Sequence, residues 1–443
     1  MNKGSILLVS GVAALGGLLF GFDTAVISGT IPAITAYFNL NGPLLGWAVG
    51  VVLIGCALGA LLAGRLADRY GRRSVLLICA FLFAVSGIGA GLSHSLTVFV
   101  LFRLAGGLGV GAAAMVSPMY IAEIAPSSWR GRLVSLYQLA IVLGILGAYF
   151  SNYFLVRLGD GAWRWMFASQ AGPSVLFGIL LLFVPDTPRW LVSKGRQEEA
   201  ALVLKRMNGM EEAAEALEEI AASFSGEVAP GIKEVFSKRY QPVLVTGVLI
   251  AVFQQVTGIN AILYYGPLIF KQTGLDASSS LLQTMGIGVV NVLSAFVAIG
   301  LVDRVGRKKF LIAGSLLMGL SLAGVALCFH YRWFDHYVVL VFMLLYVASF
   351  GCTLGAVTWV YLSEIFPNRI RGMALSVATL ALWLADFLVS YSFPLMTEGL
   401  GTPLTLCCYA ALCGVACMYI LFKVPETKGR SLEEIESLFI HKK

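Results

Sequence analysis

Apolar residues in this chain come in long, nearly unbroken runs, not in the alternating or one-sided patterns of soluble strands and helices. The first extends from Ile6 to about Ile27, and others lie near 44–64, 74–92, 96–121, 133–155 and 164–184. A polar interval follows at about 186–239, and then six more runs near 241–270, 281–302, 310–329, 337–362, 373–396 and 404–422. Each is close to the roughly 20 residues that a helix needs to cross the hydrocarbon of a bilayer. The pattern predicts an all-α membrane protein of twelve transmembrane helices. It divides into a six-helix bundle over 1–185, a helical linker over 186–239, a second six-helix bundle over 240–424 and a tail over 425–443. Within the linker, EEAALVLKRM and EEAAEALEEI carry the spacing of amphipathic helices. The first run contains Asp23 and has no convincing small-residue cleavage site, so it is expected to be an uncleaved helix and not a signal peptide.

Composition agrees with that class. The chain is 58% hydrophobic and 12% charged, far from the roughly 25% charge of soluble domains, and its mean hydropathy is +0.85. A net charge of +7 would suit nucleic acid, but the basic residues fall in short groups between the apolar runs, as topology signals do. No nucleic-acid partner is expected. The eight cysteines lie within apolar runs without CxxC spacing, so they read as packing residues and indicate neither disulfides nor a zinc site. No nucleophile and base pair or metal-ligand cluster stands out in the spans; an enzyme, a cofactor and a metal are not expected.

Three loop motifs repeat. ADRYGRR at Ala67 returns as VDRVGRK at Val302, 235 residues later between the aspartates. Glu123, Pro126, Arg130 and Gly131 return as Glu364, Pro367, Arg371 and Gly372 at an offset of 241, and PDTPR at Pro185 returns as PETKG at Pro425 at an offset of 240. Similar order and offset imply two homologous halves of like orientation. One set of loops carries Arg65, Arg69, Arg72, Arg73, Arg130, Arg132, Arg304, Arg307, Lys308, Lys309, Arg369 and Arg371, the other only Arg157, Arg164, Lys271 and Arg332. The basic set is therefore expected in the cytoplasm, with both termini and the linker. Asp68 with Arg72 and Asp303 with Arg307 are four residues apart, the spacing of an ordinary helical ion pair. Their recurrence beside Glu123, Arg130, Glu364 and Arg371 favours a gate that bridges helices over a solvated pair.

Polar residues inside the spans are the sharper signal, because hydrocarbon tolerates them only with partners or in a wet cavity. FQQVTGINAILYYGP, from Phe253 to Pro267, holds Gln254, Gln255, Asn260, Tyr264 and Tyr265. Gly258 and Pro267 can loosen the helix there. Uncharged amides and phenols that both donate and accept suit a neutral polyhydroxylated ligand, with interhelical hydrogen bonding as the alternative. Away from helix ends, three ionisable residues lie in the spans: Asp23, Arg103 and Asp386. A lone charge at mid-helix costs about 2.5–3.5 kcal/mol, so Asp23 and Arg103, in the same half, are natural partners.

GFDTAVISG at Gly21, DRYGRR, the run RLAGGLGVGAAAMVSPMYIAEIAPSSWRG from Arg103, PDTPRWL, QQVTGINAILYYGP, DRVGRK, YLSEIFPNRIRG and PETKG together cover nearly the whole chain. In these motifs it resembles the sugar porters of the major facilitator superfamily, which include bacterial xylose, arabinose and galactose proton symporters and the animal facilitative glucose transporters. The resemblance implies import of a neutral monosaccharide of the glucose, xylose or galactose class by proton symport and alternating access, through the bacterial inner membrane. Lipid and protons are the other partners, and a single chain is expected to suffice. It nominates Phe20, Gln138, Gln254, Gln255, Asn260, Tyr264, Asn291, Gly355, Trp359 and Trp383 for the sugar. Asp23, Arg103 and Asp386 are nominated for proton coupling. A cytoplasmic gate would comprise Asp68, Arg69, Arg72, Glu123, Arg130, Arg189, Asp303, Arg304, Arg307, Glu364 and Arg371, with the segment after Arg189 as a latch.

The chain departs from the family pattern at three places. Leu382 stands where an amide often precedes Trp383, Asp386 where Asn is usual, and Ala356 where proline usually follows the glycine. These changes bear on which sugar is carried. The other readings are a facilitative uniporter, a non-transporting sensor, disfavoured by the short tail of about 20 residues after the last span, and a drug antiporter, disfavoured by the amide-rich stretch.

Overall fold

The computed structural model describes residues 3–126, 129–208, 210–223, 232–335, 337–367, 369–430 and 432–440. Among them no strand occurs. Twelve helices are long and apolar enough to cross a membrane: Gly4–Phe38, Gly42–Tyr70, Arg72–Leu92, Leu96–Ile124, Arg130–Leu158, Ala162–Leu182, Gln241–Gln272, Ala277–Ala298, Arg307–His330, Val338–Ile365, Arg371–Leu400 and Thr402–Lys423. Nine of them contain one of the predicted runs whole, and those beginning at Ala162, Ala277 and Val338 cover theirs except for one to four residues at an end; most extend past the apolar run, since the helix continues into the polar residues that flank the hydrocarbon. The polar interval forms the short helices Pro188–Ser193, Gln197–Asn208, Met210–Ser223 and Ile232–Val235. A further helix, Leu432–Ile440, lies in the tail.

The chain forms two compact units, Met1–Val26 with Ile54–Ser151 and Arg164–Val228, and Ile27–Leu53 with Asn152–Trp163 and Ala229–Lys443. In the first unit, glycine lets helices touch backbone to backbone. A Cβ on Gly21 would lie 1.9 Å from the Ile141 carbonyl oxygen, and one on Gly144 2.0 Å from that of Leu18, so the first and fifth spans pack at a distance that side chains forbid.

In the second unit two spans are broken. The seventh consists of Gln241–Val256 and Ile259–Gln272, with Gly258 between them at φ 94°, in the left-handed region. Pro267 lies inside the second piece without ending it, so of the two residues expected to loosen this helix, Gly258 makes the break. The tenth span divides at Thr353 into Val338–Cys352 and Leu354–Ile365. The breaks share hydrogen bonds. Tyr346 Oη, on the tenth span, donates to the Thr257 carbonyl at 2.8 Å. Gln254 Nε2, on the seventh, donates to the carbonyls of Leu354 and Gly355 at 3.1 and 3.3 Å.

All eight cysteines are free thiols. Cys407 and Cys408 are exposed on the last span, whereas Cys56, Cys79, Cys328 and Cys413 are buried as packing residues.

Gly258→Ala should lower stability by about 1–2 kcal/mol, because an L side chain is disfavoured at this φ and its Cβ would approach the Tyr409 ring to 2.9 Å. Gly266→Ala, whose Cβ meets nothing closer than 3.8 Å, should stay within about 0.5 kcal/mol of wild type. Thermal melting of the two purified variants distinguishes these outcomes.

Candidate substrate, proton and gate sites

In the first unit, Asp23 and Arg103 are both fully buried, on the first and fourth spans. Arg103 Nη1 donates to Asp23 Oδ1 at 3.0 Å and to the Asp23 carbonyl at 3.2 Å. The guanidinium lies over the Phe167 ring, 5.5 Å from its centroid. A single nitrogen therefore carries the contact. Asp23 Oδ2, Arg103 Nε and Nη2 and the nearby hydroxyl of Ser86 are buried without a hydrogen-bond partner in the protein. A monodentate pair with donors and an acceptor to spare is easier to open than a two-pronged fork. Phe20 and Gln138, also in this unit, are half-buried.

The second unit brings the amides together into one chain of hydrogen bonds. Asn260 Nδ2 donates to Gln255 Oε1 at 2.8 Å, Gln255 Nε2 to Gln254 Oε1 at 3.4 Å, and Gln254 Nε2 to the Leu354 and Gly355 carbonyls. Gly355, nominated separately, is thus reached through its backbone. Gln254 and Gln255 are buried and Asn260 is half-buried. At the far end of the relay the Asn260 amide lies beside the buried carboxyl of Asp386, which accepts from Ser390 Oγ at 3.2 Å.

The other nominated residues, Tyr264, Asn291, Trp359 and Trp383, are in the same unit. Tyr264 and Trp383 are buried, Trp383 one turn before Asp386, and Trp359 is 39% exposed. Asn291 is buried where the eighth span meets the tenth, its Oδ1 3.3 Å from the place a Cβ on Gly351 would take. Tyr265, read from the sequence as part of the same polar stretch, is occupied elsewhere. Its hydroxyl donates to the Ser390 carbonyl at 2.8 Å and its ring stacks on Phe393 at 4.8 Å, so its role is packing.

The repeated loop motifs build two nearly identical clusters, each within its own unit. Arg72 donates through Nη2 and Nε to Glu123 Oε1 at 2.9 and 3.2 Å. It also caps the Ala67 carbonyl at 3.1 Å and meets Asp68 at 3.2 Å. Arg307 donates in the same way to Glu364 Oε1 at 2.9 and 3.2 Å and to the Val302 carbonyl at 3.5 Å. The second oxygen of each glutamate takes a threonine hydroxyl, from Thr187 to Glu123 and from Thr427 to Glu364. An acid one residue earlier caps the next helix: Asp186 Oδ1 accepts from the Arg73 amide at 3.0 Å, and Glu426 accepts from the Arg307 and Lys308 amides at 2.9 and 3.2 Å. Tyr120 and Tyr361 close the clusters by donating to the carbonyls of Pro185 and Pro425 at 2.6 and 3.3 Å. Burial pushes the Asp186 carboxyl above the usual range, opposed by the Arg73 amide and nearby guanidinium charges.

Sequence reasoning missed Asp186, Thr187, Glu426, Thr427, Tyr120 and Tyr361. The signal was the recurrence of PDT and PET, which put an acid and a threonine at equal offsets in both halves. Arg69, Arg130, Arg189 and Arg304 are exposed, and Arg371 Nε donates to the Phe366 carbonyl at 3.2 Å. The side chain of Asp303 lies outside the described residues. Among the described residues no group of acids, histidines and cysteines is arranged to hold a metal ion.

Residues 9–439 match the family model described as "Sugar (and other) transporter". The D-xylose-proton symporter of Escherichia coli K12 is 42% identical over 477 residues, covering 99% of this chain and 96% of that protein. The arabinose-proton symporter of Bacillus subtilis is 39% identical over 445 residues, with 99% and 96% covered. Among solved structures, the inward-open conformation of the E. coli xylose transporter XylE aligns with a TM-score of 0.88 at 40% identity, covering 98% of this chain and all of that one. The fold is that of the major facilitator transporters, and the chain belongs to the sugar transporter family.

Proposed function

We propose that this protein imports a neutral monosaccharide, of the xylose, arabinose or glucose type, together with protons. The observation that carries the sugar reading is the amide relay at the break in the seventh span, because buried amides that can exchange partners suit a ligand made of hydroxyl groups. Phe20, Gln138, Tyr264, Asn291, Trp359 and Trp383 complete the proposed site, the aromatic rings facing the C–H surface of the sugar. The functional halves are the bundles 1–185 and 240–424, joined by the linker 186–239. They alternate access by rocking, with the basic loops and both termini in the cytoplasm. The inner membrane of a bacterium is the proposed location, and one chain suffices.

Proton coupling falls to Asp23. With its proton absent, Asp23 holds Arg103 across the first and fourth spans. When sugar binding rearranges the helices and Arg103 withdraws, a proton taken from water replaces it, so the closing site carries no stranded charge. Return of Arg103 on the other side expels the proton. The gate clusters act at a distance from the sugar: Arg72 and Arg307 clamp the loops between spans to the ends of the fourth and tenth, setting which way the cavity opens.

Gln255→Ala should weaken binding of D-xylose or D-glucose by about 1–3 kcal/mol, since it leaves Gln254 Oε1 and one Nδ2 hydrogen of Asn260 without the buried partner that Gln255 supplies. Calorimetry on the purified protein measures this, and unchanged affinity would remove the relay from the site. Asp23→Asn should abolish sugar accumulation driven by a pH gradient in proteoliposomes while downhill exchange persists. Undiminished sugar-dependent proton uptake in that variant would exclude Asp23 as the coupling acid. Arg72→Ala and Arg307→Ala should slow transport with little change in sugar affinity, and should reduce labelling of a cysteine placed on the periplasmic side. Normal transport and normal labelling in both would make the clusters plain structural braces.

A further inference from the structure

Asp386 stands apart from the pairing rule that Asp23 obeys. It lies midway along the eleventh span, is 1% exposed, and among the described residues no ion pair reaches it. Its contacts are neutral: Ser390 Oγ at 3.2 Å and the Asn260 amide. The elements packed against this span supply no nearby charge. The seventh span offers Tyr264 and Tyr265, and its Lys271 is 11 residues beyond Asn260, about 16 Å along the helix. Tyr409 is on the twelfth span, whose Lys423 is at the far end. The tenth offers Glu364, at its own end and held by Arg307. Residues 27–53 carry only Tyr37, and Ile232–Val235 carries Lys233 and Glu234, the latter paired with Arg369. On its own helix, Arg371 and Glu398 are 15 and 12 residues away, about 22 and 18 Å.

Asp386 is joined to the sugar site by a relay whose bonds all run one way. From Asn260 to Gln255, to Gln254, to the carbonyls of the tenth span, each nitrogen donates to the next oxygen. A carboxylate can only accept, so ionised Asp386 favours the Asn260 orientation that turns an Nδ2 hydrogen toward it, the other Nδ2 hydrogen going to Gln255 Oε1. The half-buried Asn260 then presents Oδ1, an acceptor. A proton on Asp386 makes one carboxyl oxygen a donor, for which Asn260 Oδ1 is the complementary partner. That oxygen is then engaged, and Nδ2 is released from Asp386 as a donor.

Resting on the sugar reading of this site, we propose that Asp386 is a second proton-responsive group, separate from Asp23, which sets whether the relay offers the sugar an acceptor or a donor and so makes sugar affinity depend on pH. The proton exchanges with water, and no other bond forms or breaks. Two acids in different units would allow proton binding to act on affinity through Asp386 and on gradient-driven accumulation through Asp23.

The test uses full-length purified protein carrying Asp23→Asn, so that the first acid cannot titrate, with D-xylose and D-glucose as probes. Affinity for the bound sugar should change about threefold or more between about pH 5.5 and about pH 8.5, and the dependence should vanish when Asp386→Asn is added. A profile that is flat in Asp23→Asn, or identical with and without Asp386→Asn, would overturn the proposal while leaving the sugar site standing. Calorimetry of Asp23→Asn in two buffers of different ionisation enthalpy guards against a misfolded double variant: a net exchange of protons on sugar binding supports the proposal and zero exchange at every pH overturns it. Failure of wild-type protein to bind any pentose or hexose would sink the sugar reading itself, and this inference with it.

Discussion

Hydrocarbon offers no hydrogen bonds, so each polar group placed in it must find its partner within the protein or lose several kcal/mol. That constraint arranges this molecule. Asp23 and Arg103 meet because neither is tolerable alone, and removing one partner of such a buried pair typically costs about 3–5 kcal/mol. The amides of the seventh span satisfy one another, and Gln254 ends the series on backbone carbonyls of the tenth. Where protein partners run out, as at Asp23 Oδ2 and Arg103 Nε, a buried pair keeps hydrogen-bonding capacity unused.

The loop clusters answer a different demand. Between spans the chain must turn sharply and hold the next helix in place, and both halves do so with the same parts: an arginine on a glutamate, a threonine on that glutamate's other oxygen, and an acid on the following helix's first amides. Arg72 and Arg307 each make two bonds to one carboxylate oxygen and one to a carbonyl five residues back. Such a many-bonded centre has more effect than the exposed i,i+4 contact with Asp68, a type worth only a few tenths of a kcal/mol.

The twelve spans were legible in the sequence because each is an apolar run of crossing length, and the paired loop clusters because their motifs repeat. The break at Gly258 was legible as well, since glycine alone takes that conformation without strain. The break at Thr353 was not, because neither glycine nor proline stands at the position itself. Asp23 and Arg103 were recognisable as partners, being buried opposite charges in one half, but that a single nitrogen makes the contact depends on side-chain approach. Tyr264 and Tyr265 are adjacent and alike in composition. Only the fold shows that Tyr265 turns to Ser390 and Phe393 and is committed to packing.

The exchange of hydrogen bonds between the seventh and tenth spans has a mechanical consequence. Tyr346 of one satisfies the Thr257 carbonyl freed by the other's break, and Gln254 of the other reaches back to Leu354 and Gly355. Straightening either helix alone would strand groups on both, at about 1–3 kcal/mol for each buried group left unmet. The two bends therefore behave as one cooperative joint, and a ligand that touches only Gln254 or Gln255 also exerts leverage on the tenth helix, which it need not contact.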